Sequence, residues 1–304
     1  MAYPTSIIKN IKGTSASEWA EHAGLNWDAE KLELNYYPDD GISRKSSMVS
    51  IVRNDTGQEL GVVSPKYQIV QPRDILSGFE SAVNNLGAGF EMDGIGMFDD
   101  GKIIWGRASS DRPIRIHGQD SLQSYLYMLT SFDGSAATVG FVSTLRAICS
   151  NALHVASERS DKLFSLSHRS KYQGHAKSAL DTYMKRVDNF EHDVNKLADT
   201  RVAAPDVVRY YKELLYGKKE ELTEREKTTV NKYLYAAVHG AGSKLTSVQA
   251  DETGMSAWGL VNGATFIQDH DPVRKVGDNT KSAFIGSGNS LKVRAWNQAM
   301  KLAA

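Results

Sequence analysis

Apolar and polar residues alternate through much of the first half of the chain, and apolar residues recur at three- and four-residue spacing through the second. A two-residue period turns one face of a strand to the core, and a helical period turns one stripe inward. Alternation predicts a first strand over Leu32–Tyr37 and further strands over Met48–Arg53 and Leu60–Ser64. Asn54-Asp55-Thr56-Gly57 separates the last two, and such residues tolerate the positive φ of a tight hairpin turn. Pro72 suits the first turn of a helix, on which Ile75, Leu76, Phe79, Val83 and Leu86 share a face until Gly87 and Gly89 stop it. Two more hairpins follow: Phe90–Phe98 with Lys102–Ala108 around Asp99-Asp100-Gly101, and Leu122–Thr130 with Ala137–Thr144 around Asp133-Gly134. Residues 32–144 therefore predict a sheet of about six to eight mostly antiparallel strands with one helix inserted early.

Beyond Asn151 the period changes. Helices are expected over Ala152–Glu158, Gly174–Ala198, Asp206–Leu215, Glu224–His239, Ser256–His270 and Leu291–Leu302, with one more strand over Lys162–His168. A short helix near Ser17–Ala23 precedes the sheet, and residues 1–13 read as a loose arm. Strands first and helices later is an α+β pattern. It divides into a sheet-containing core domain over 1–200 and a helical C-terminal region over 201–304.

Charge adds a local feature to a neutral whole. Lys plus Arg is 36 and Asp plus Glu is 36 among 304 residues, so no global field steers the chain toward DNA. Between Val142 and Arg186, however, eight basic residues face three acidic ones, and from Val273 onward six face one. Residues 1–64 carry six basic and nine acidic groups. A patch as dense as the first can neutralise several phosphates; the same counts also fit ordinary solvated faces. The single cysteine, Cys149, excludes an internal disulfide and fits a reducing cytoplasm. No run of about 18 apolar residues predicts a membrane span, and the N-terminal residues lack the pattern of a secretory signal.

Catalytic motifs do not assemble. His168 and His175 lack the further convergent ligands of a metal site. Cys149 has no base on its own helical face, since His154 lies five residues on, and a structural thiol is the simpler reading. Gly240-Ala-Gly242-Ser-Lys244-Leu-Thr246 lacks the spacing of a phosphate-binding loop, and Gly94-x-Gly96 has no third glycine. No cofactor is implied and no catalytic residue is expected. What remains is an interleaving of basic and aromatic residues: Lys66 with Tyr67, then Arg73, and Lys102 with Trp105 and Arg107 on one strand. Aromatic rings beside cations can stack bases and hold phosphates, although one face of each strand must be core. Arg146, Arg159, Lys162, Arg169 and Lys171 extend the set, with Arg146 at a strand-to-helix junction where it suits a phosphate beside a helix N-terminus.

Several of these segments together resemble one family. Val52 to Pro72 reads V-R-N-D-T-G-Q-E-L-G-V-V-S-P-K-Y-Q-I-V-Q-P, and Gly101-Lys102 is followed by Trp105. Asp133-Gly134-Ser135, the run from Leu145 to Leu153, His168, Ala257-Trp258-Gly259 and Lys292 complete the pattern. Over roughly residues 19–300 the chain resembles domain-of-unknown-function family 932, whose members are encoded by phages, prophages and plasmids. The resemblance extends to single-strand annealing proteins of the RecT, Red-beta and Erf kind. It implies a β-β-β-α core, assembly of copies into a ring or filament, and annealing of single-stranded DNA without ATP. It further implies the cytoplasm of a bacterial host, with a host single-strand-binding protein or a phage exonuclease as additional partners. The expected function is thus single-stranded DNA binding and annealing through the basic and aromatic residues named above. Two other readings stay open at this stage: a metal-dependent nuclease, and a protein-binding inhibitor of host defence.

Overall fold

A computed structural model describes residues 15–86, 89–117, 120–134, 138–146, 152–154, 164–166, 176–239, 254–270 and 287–304. Its architecture is α+β, with antiparallel sheets in the first half and helices dominating the second. Ser15 caps the opening helix α1 (Ala16–His22) through a reciprocal capping box with Glu18. Three strands then form a meander, β1 (Ala29–Tyr36), β2 (Arg44–Arg53) and β3 (Glu59–Val63), in the order β1-β2-β3. Helix α2 (Pro72–Leu86) follows directly, so the first part of the chain runs β-β-β-α.

The second sheet has six strands, all antiparallel to their neighbours: β4 (Phe90–Phe98), β5 (Ile103–Ile116), β6 (Asp120–Ser131), β7 (Thr138–Arg146), β8 (Ala152–His154) and β9 (Phe164–Leu166). Here the structure corrects the single sheet expected over 32–144. Strand β3 does not pair with β4, because α2 carries the chain from one sheet to the other. The two sheets instead meet at a close approach: a Cβ on Gly61 of β3 would lie 2.4 Å from the Cα of Asp133, beyond the end of β6.

One face of the larger sheet holds Ile104 and Ala108 of β5 and Leu126 and Met128 of β6, packed in the main core. Helix α2 seats Phe79 there against Gly106, where even a methyl group would meet the ring at 2.8 Å. Helix α3 (Ala176–Asp199) buries Tyr183, Val187, Phe190, Val194 and Leu197, the stripe its sequence period predicts. Tyr183 donates its hydroxyl to Ser124 Oγ on β6 at 2.9 Å.

A second correction concerns Ala152–Glu158, expected to be helical. Residues 152–154 are strand β8, paired with Ser143–Leu145 of β7. A short isolated helix gains little in water, whereas a strand beside β7 gains ladder bonds at once. Residues 155–158 lie outside the described residues.

The C-terminal part begins with β10 (Arg201–Ala203), which pairs with β11 (Gly254–Ser256). Neither three-residue strand shows in the sequence pattern. Around them stand α4 (Ala204–Tyr216), α5 (Glu224–His239), α6 (Ala257–His270) and α7 (Ser287–Leu302). Helix α6 is apolar on most sides and central: a Cβ on Gly263 would meet both Tyr211 of α4 and Ala237 of α5 within 2.7 Å. Tyr211 and Tyr210 donate to the carbonyls of Leu260 and Ala295, at 2.7 and 2.6 Å. Lys292 of α7 is fully buried and bonds Asp269 of α6 at 2.6 Å. One of the C-terminal basic residues therefore serves the helical core rather than a surface.

Candidate nucleic-acid interface

The stretch from Arg53 to Arg73 holds three predicted site residues, Lys66, Tyr67 and Arg73, and its polar groups are largely engaged within the fold. Arg53 ends β2 and is 9 % exposed. Its guanidinium donates to both carboxylate oxygens of Asp55, at 2.9 and 2.7 Å, and to the carbonyl of Asp100 at 3.0 Å, while stacking 4.6 Å over the Trp27 ring. Hydrogen bonding to Arg53 holds the Asp55 carboxyl below the usual carboxylate range. Asn54 exchanges bonds with Asp28, and Gly57 turns the chain at φ 71°. Gln71 accepts from the Ala29 amide and donates to the Ala29 carbonyl, at 2.8 and 3.0 Å, so its side chain stands in for one residue of a neighbouring strand. Tyr67 donates its hydroxyl to the Ser131 carbonyl, and Arg73 pairs with Asp28 at 2.9 Å. Lys66 remains exposed.

The structure brings Lys66, Tyr67 and Lys102 to one end of the two sheets. Tyr67 reaches Ser131, and the next residue, Phe132, bonds the Lys102 carbonyl at 2.9 Å. Asp28, Asp55, Asp99, Asp100 and Asp133 gather at the same end, so this junction is not a cationic track.

Two predicted residues are corrected by burial. Trp105 is 2 % exposed and Arg107 is 5 % exposed. Both lie on the face of the larger sheet opposite α2, in register with Leu129 and Tyr127 of β6. A ring so enclosed cannot stack on a base in this conformation. Arg107 is held by Asp93 at 2.7 Å and lies 4.7 Å from the Tyr125 ring centre. Burial alone would lower the Arg107 pKa; the adjoining Tyr127 and Asp93 outweigh it and keep the guanidinium charged. Burial also raises Tyr125, and it lifts Tyr127 to about 12 against the pull of Arg107. The cluster is thus an internal ion pair with aromatic walls. The two-residue spacing of Trp105 and Arg107 shows that they share a face, but not that this face is covered.

The basic excursion between Val142 and Arg186 has fixed ends. Arg146 terminates β7 opposite Leu122, and both β8 and β9 pair with the outer edge of β7. The chain therefore leaves that edge at His154, returns to it at Phe164, and enters α3 at Ala176. Arg159, Lys162, Arg169 and Lys171 belong to the intervening segments, outside the described residues, as do Cys149, His168, His175 and the glycines near 240. Among the described residues, no cluster of three or more His, Cys, Asp or Glu is arranged to hold a metal ion. No described helix is long and apolar enough to cross a membrane.

Sequence reasoning missed the buried Lys292–Asp269 pair and the apolar surface of the first sheet. Only the small residues Gly288, Ala295 and Ala299, which share the buried face of the last helix with Lys292, hint at the former. The latter leaves no periodic sign, because Leu32 of β1 and Val62 of β3 are exposed while being as apolar as core residues.

The fold and these motifs coincide with a family match. The model for a domain of unknown function, DUF932, matches residues 59–284, about three quarters of the chain. The chain belongs to this family. The match begins just after the Arg53–Gly57 turn and takes in the whole six-stranded sheet with its basic excursion. No curated protein and no solved structure matches the chain.

Proposed function

We propose that this protein binds single-stranded DNA and anneals complementary strands as a homo-oligomer, without nucleotide hydrolysis. The observation that carries this reading is where the basic run is anchored: of the eight basic residues against three acidic ones between Val142 and Arg186, Arg146 ends β7, Arg159 and Lys162 fall in the stretch between β8 and β9, which both pair with β7, Arg169 and Lys171 follow β9, and the other three belong to α3. Cations close together in the chain can neutralise neighbouring phosphates and release their counterions. The β-β-β-α order of β1 to α2 agrees with the resemblance to strand-annealing proteins. In this reading Arg146, Arg159, Lys162, Arg169 and Lys171 hold the backbone, with Lys66 as an outlying contact. Trp105 and Arg107 support the sheet from inside. Bases left exposed along the strand then pair with a second strand, and repetition of the edge in neighbouring subunits lets an uncharged protomer bind tightly.

The test is fluorescence anisotropy of a labelled oligonucleotide across a salt series, with annealing of a complementary strand followed without ATP. Reversing Arg146, Lys162 and Arg169 together to Glu should weaken binding and flatten the dependence of log affinity on log salt by about two. Unchanged affinity and slope would remove the basic excursion from the interface. Cleavage of the strand that requires a divalent metal would replace annealing with nuclease activity.

A further inference from the structure

Ten large apolar side chains are exposed among the described residues, and six of them lie on the β1-β2-β3 sheet or its first hairpin loop. Leu32 of β1 and Val62 of β3 both face Ser50 of β2, so they share one face of the sheet, and Met48 lies on that face two residues before Ser50. Their exposures are 50 %, 44 % and 37 %, and Tyr36, Tyr37 and Ile42 continue the apolar surface at the hairpin. This sheet also ends in an unpaired strand: β1 has β2 on one side and no described strand on the other.

The direction of the free edge follows from the hydrogen bonds. Asn54 donates to Asp28, which turns the backbone of Asp28, and of Glu30 and Leu32 by alternation, toward β2. The Ala29 backbone is held from outside by Gln71. Lys31 and Glu33 therefore present their amides and carbonyls outward. An edge of this kind invites another strand.

The sequence of β1 suits its own reverse. Laid antiparallel to a copy of itself with Leu32 opposite Leu32, it sets Lys31 opposite Glu33 twice, once on each side of the axis. Those two positions are the outward-facing ones, so each opposed pair can exchange both backbone hydrogen bonds. Leu32 then occupies the non-hydrogen-bonded site, where side chains approach most closely. Any one-residue shift sets outward against inward backbone and loses the ladder. A two-residue shift sets Glu33 against Glu33 or Lys31 against Lys31.

We propose that β1 is the two-fold contact of a homodimer, with Lys31 of each protomer paired to Glu33 of the other and the two Leu32 side chains meeting on the axis. The contact joins two three-stranded sheets into one of six strands and sets their apolar faces side by side. It deepens the oligomeric part of the function proposed above by naming the surface between copies, and it requires no DNA. A two-fold contact closes on itself, so a ring or filament would add a second contact elsewhere.

Sedimentation velocity of the full chain without DNA, over a concentration series, gives the dimer constant. Lys31 also donates to the Pro65 carbonyl of its own chain at 2.8 Å, so Lys31→Gln, which loses that bond without adding a like charge, is the control. Lys31→Glu opposes like charges at both pairs and should raise the dissociation constant about tenfold or more, beyond any effect of Lys31→Gln. The swap Lys31→Glu/Glu33→Lys restores them. It is made together with Lys45→Glu, because Lys45 pairs with Glu33 across β1 and β2. The swapped chain should dimerise again, which a merely misfolded variant would not do. In a Cys149→Ser background, Leu32→Cys should form a disulfide-linked dimer under mild oxidation, the Cα atoms of such a pair being about 4.5 Å apart, and Glu30→Cys should not. A monomer at all concentrations overturns the proposal. So does a dimer indifferent to Lys31→Glu, or one that fails to cross-link at 32. A monomer that still anneals DNA refutes this contact alone, whereas a cross-linking dimer that ignores DNA refutes only the annealing function.

Discussion

Arg53 shows how the fold gives a charged residue a role that its place at a strand end does not disclose. Its fork is filled by Asp55 and the Asp100 carbonyl, with Trp27 beneath it. Lysine would keep the charge but lose the fork, so Arg53→Lys should destabilise the fold by about 2–3 kcal/mol. Asp55 is much more exposed than Arg53, and Asp55→Asn should cost less. Urea denaturation of the two variants checks the order, and the reverse order would place the stabilisation on the carboxylate. The same distinction separates legible from illegible site residues. The sequence identifies Arg107 and Trp105 as sharing a face, but only tertiary packing covers that face. It cannot reveal that Arg73 has Asp28 as a partner, because the two are 45 residues apart in the chain.

At the scale of elements, turns and helix ends are set by nearby residues and strand partners by distant ones. The Asn54–Gly57 and Asp99–Gly101 turns fall where glycine and aspartate predict, and the latter needs positive φ at Asp99, Asp100 and Gly101. Helix α5 spans the predicted Glu224–His239, with Thr223 and Glu226 capping each other's amides. By contrast, β10 and β11 exist through each other across about fifty residues of chain, and β8 through the neighbouring β7; none carries a period of its own. The division into two sheets was equally hidden, since strand patterns do not say which strand is a neighbour. Gly61 is the point of contact between the sheets. Gly61→Ala forces the backbone of Asp133 away from β3 and should cost about 1–3 kcal/mol. A thermal melt tests this, and an unchanged midpoint would mean that the turn after β6 yields freely.

For the molecule as a whole, stability at high pH depends on buried phenols. Burial raises Tyr127 to about 12, and it raises Tyr210 and Tyr211 as well, the last helped by its tyrosine neighbours. A phenol whose pKa is higher when folded than the ordinary value of about 10 favours the fold fully below that value. The contribution then disappears as pH rises through the folded pKa, from about 10 toward 12 for Tyr127. Ultraviolet titration should show these phenols ionising together with the loss of helical circular dichroism. Their ionisation near pH 10 with the fold intact would contradict the burial.

The Gln71 amide, set against Ala29 like one rung of a missing strand, fills the first outward position of β1. In the proposed dimer a second copy therefore zips on from Lys31 onward and finds its alignment already counted out. There a single amide works as a ruler, and Gln71→Ala would free that rung and let the two copies slip against each other.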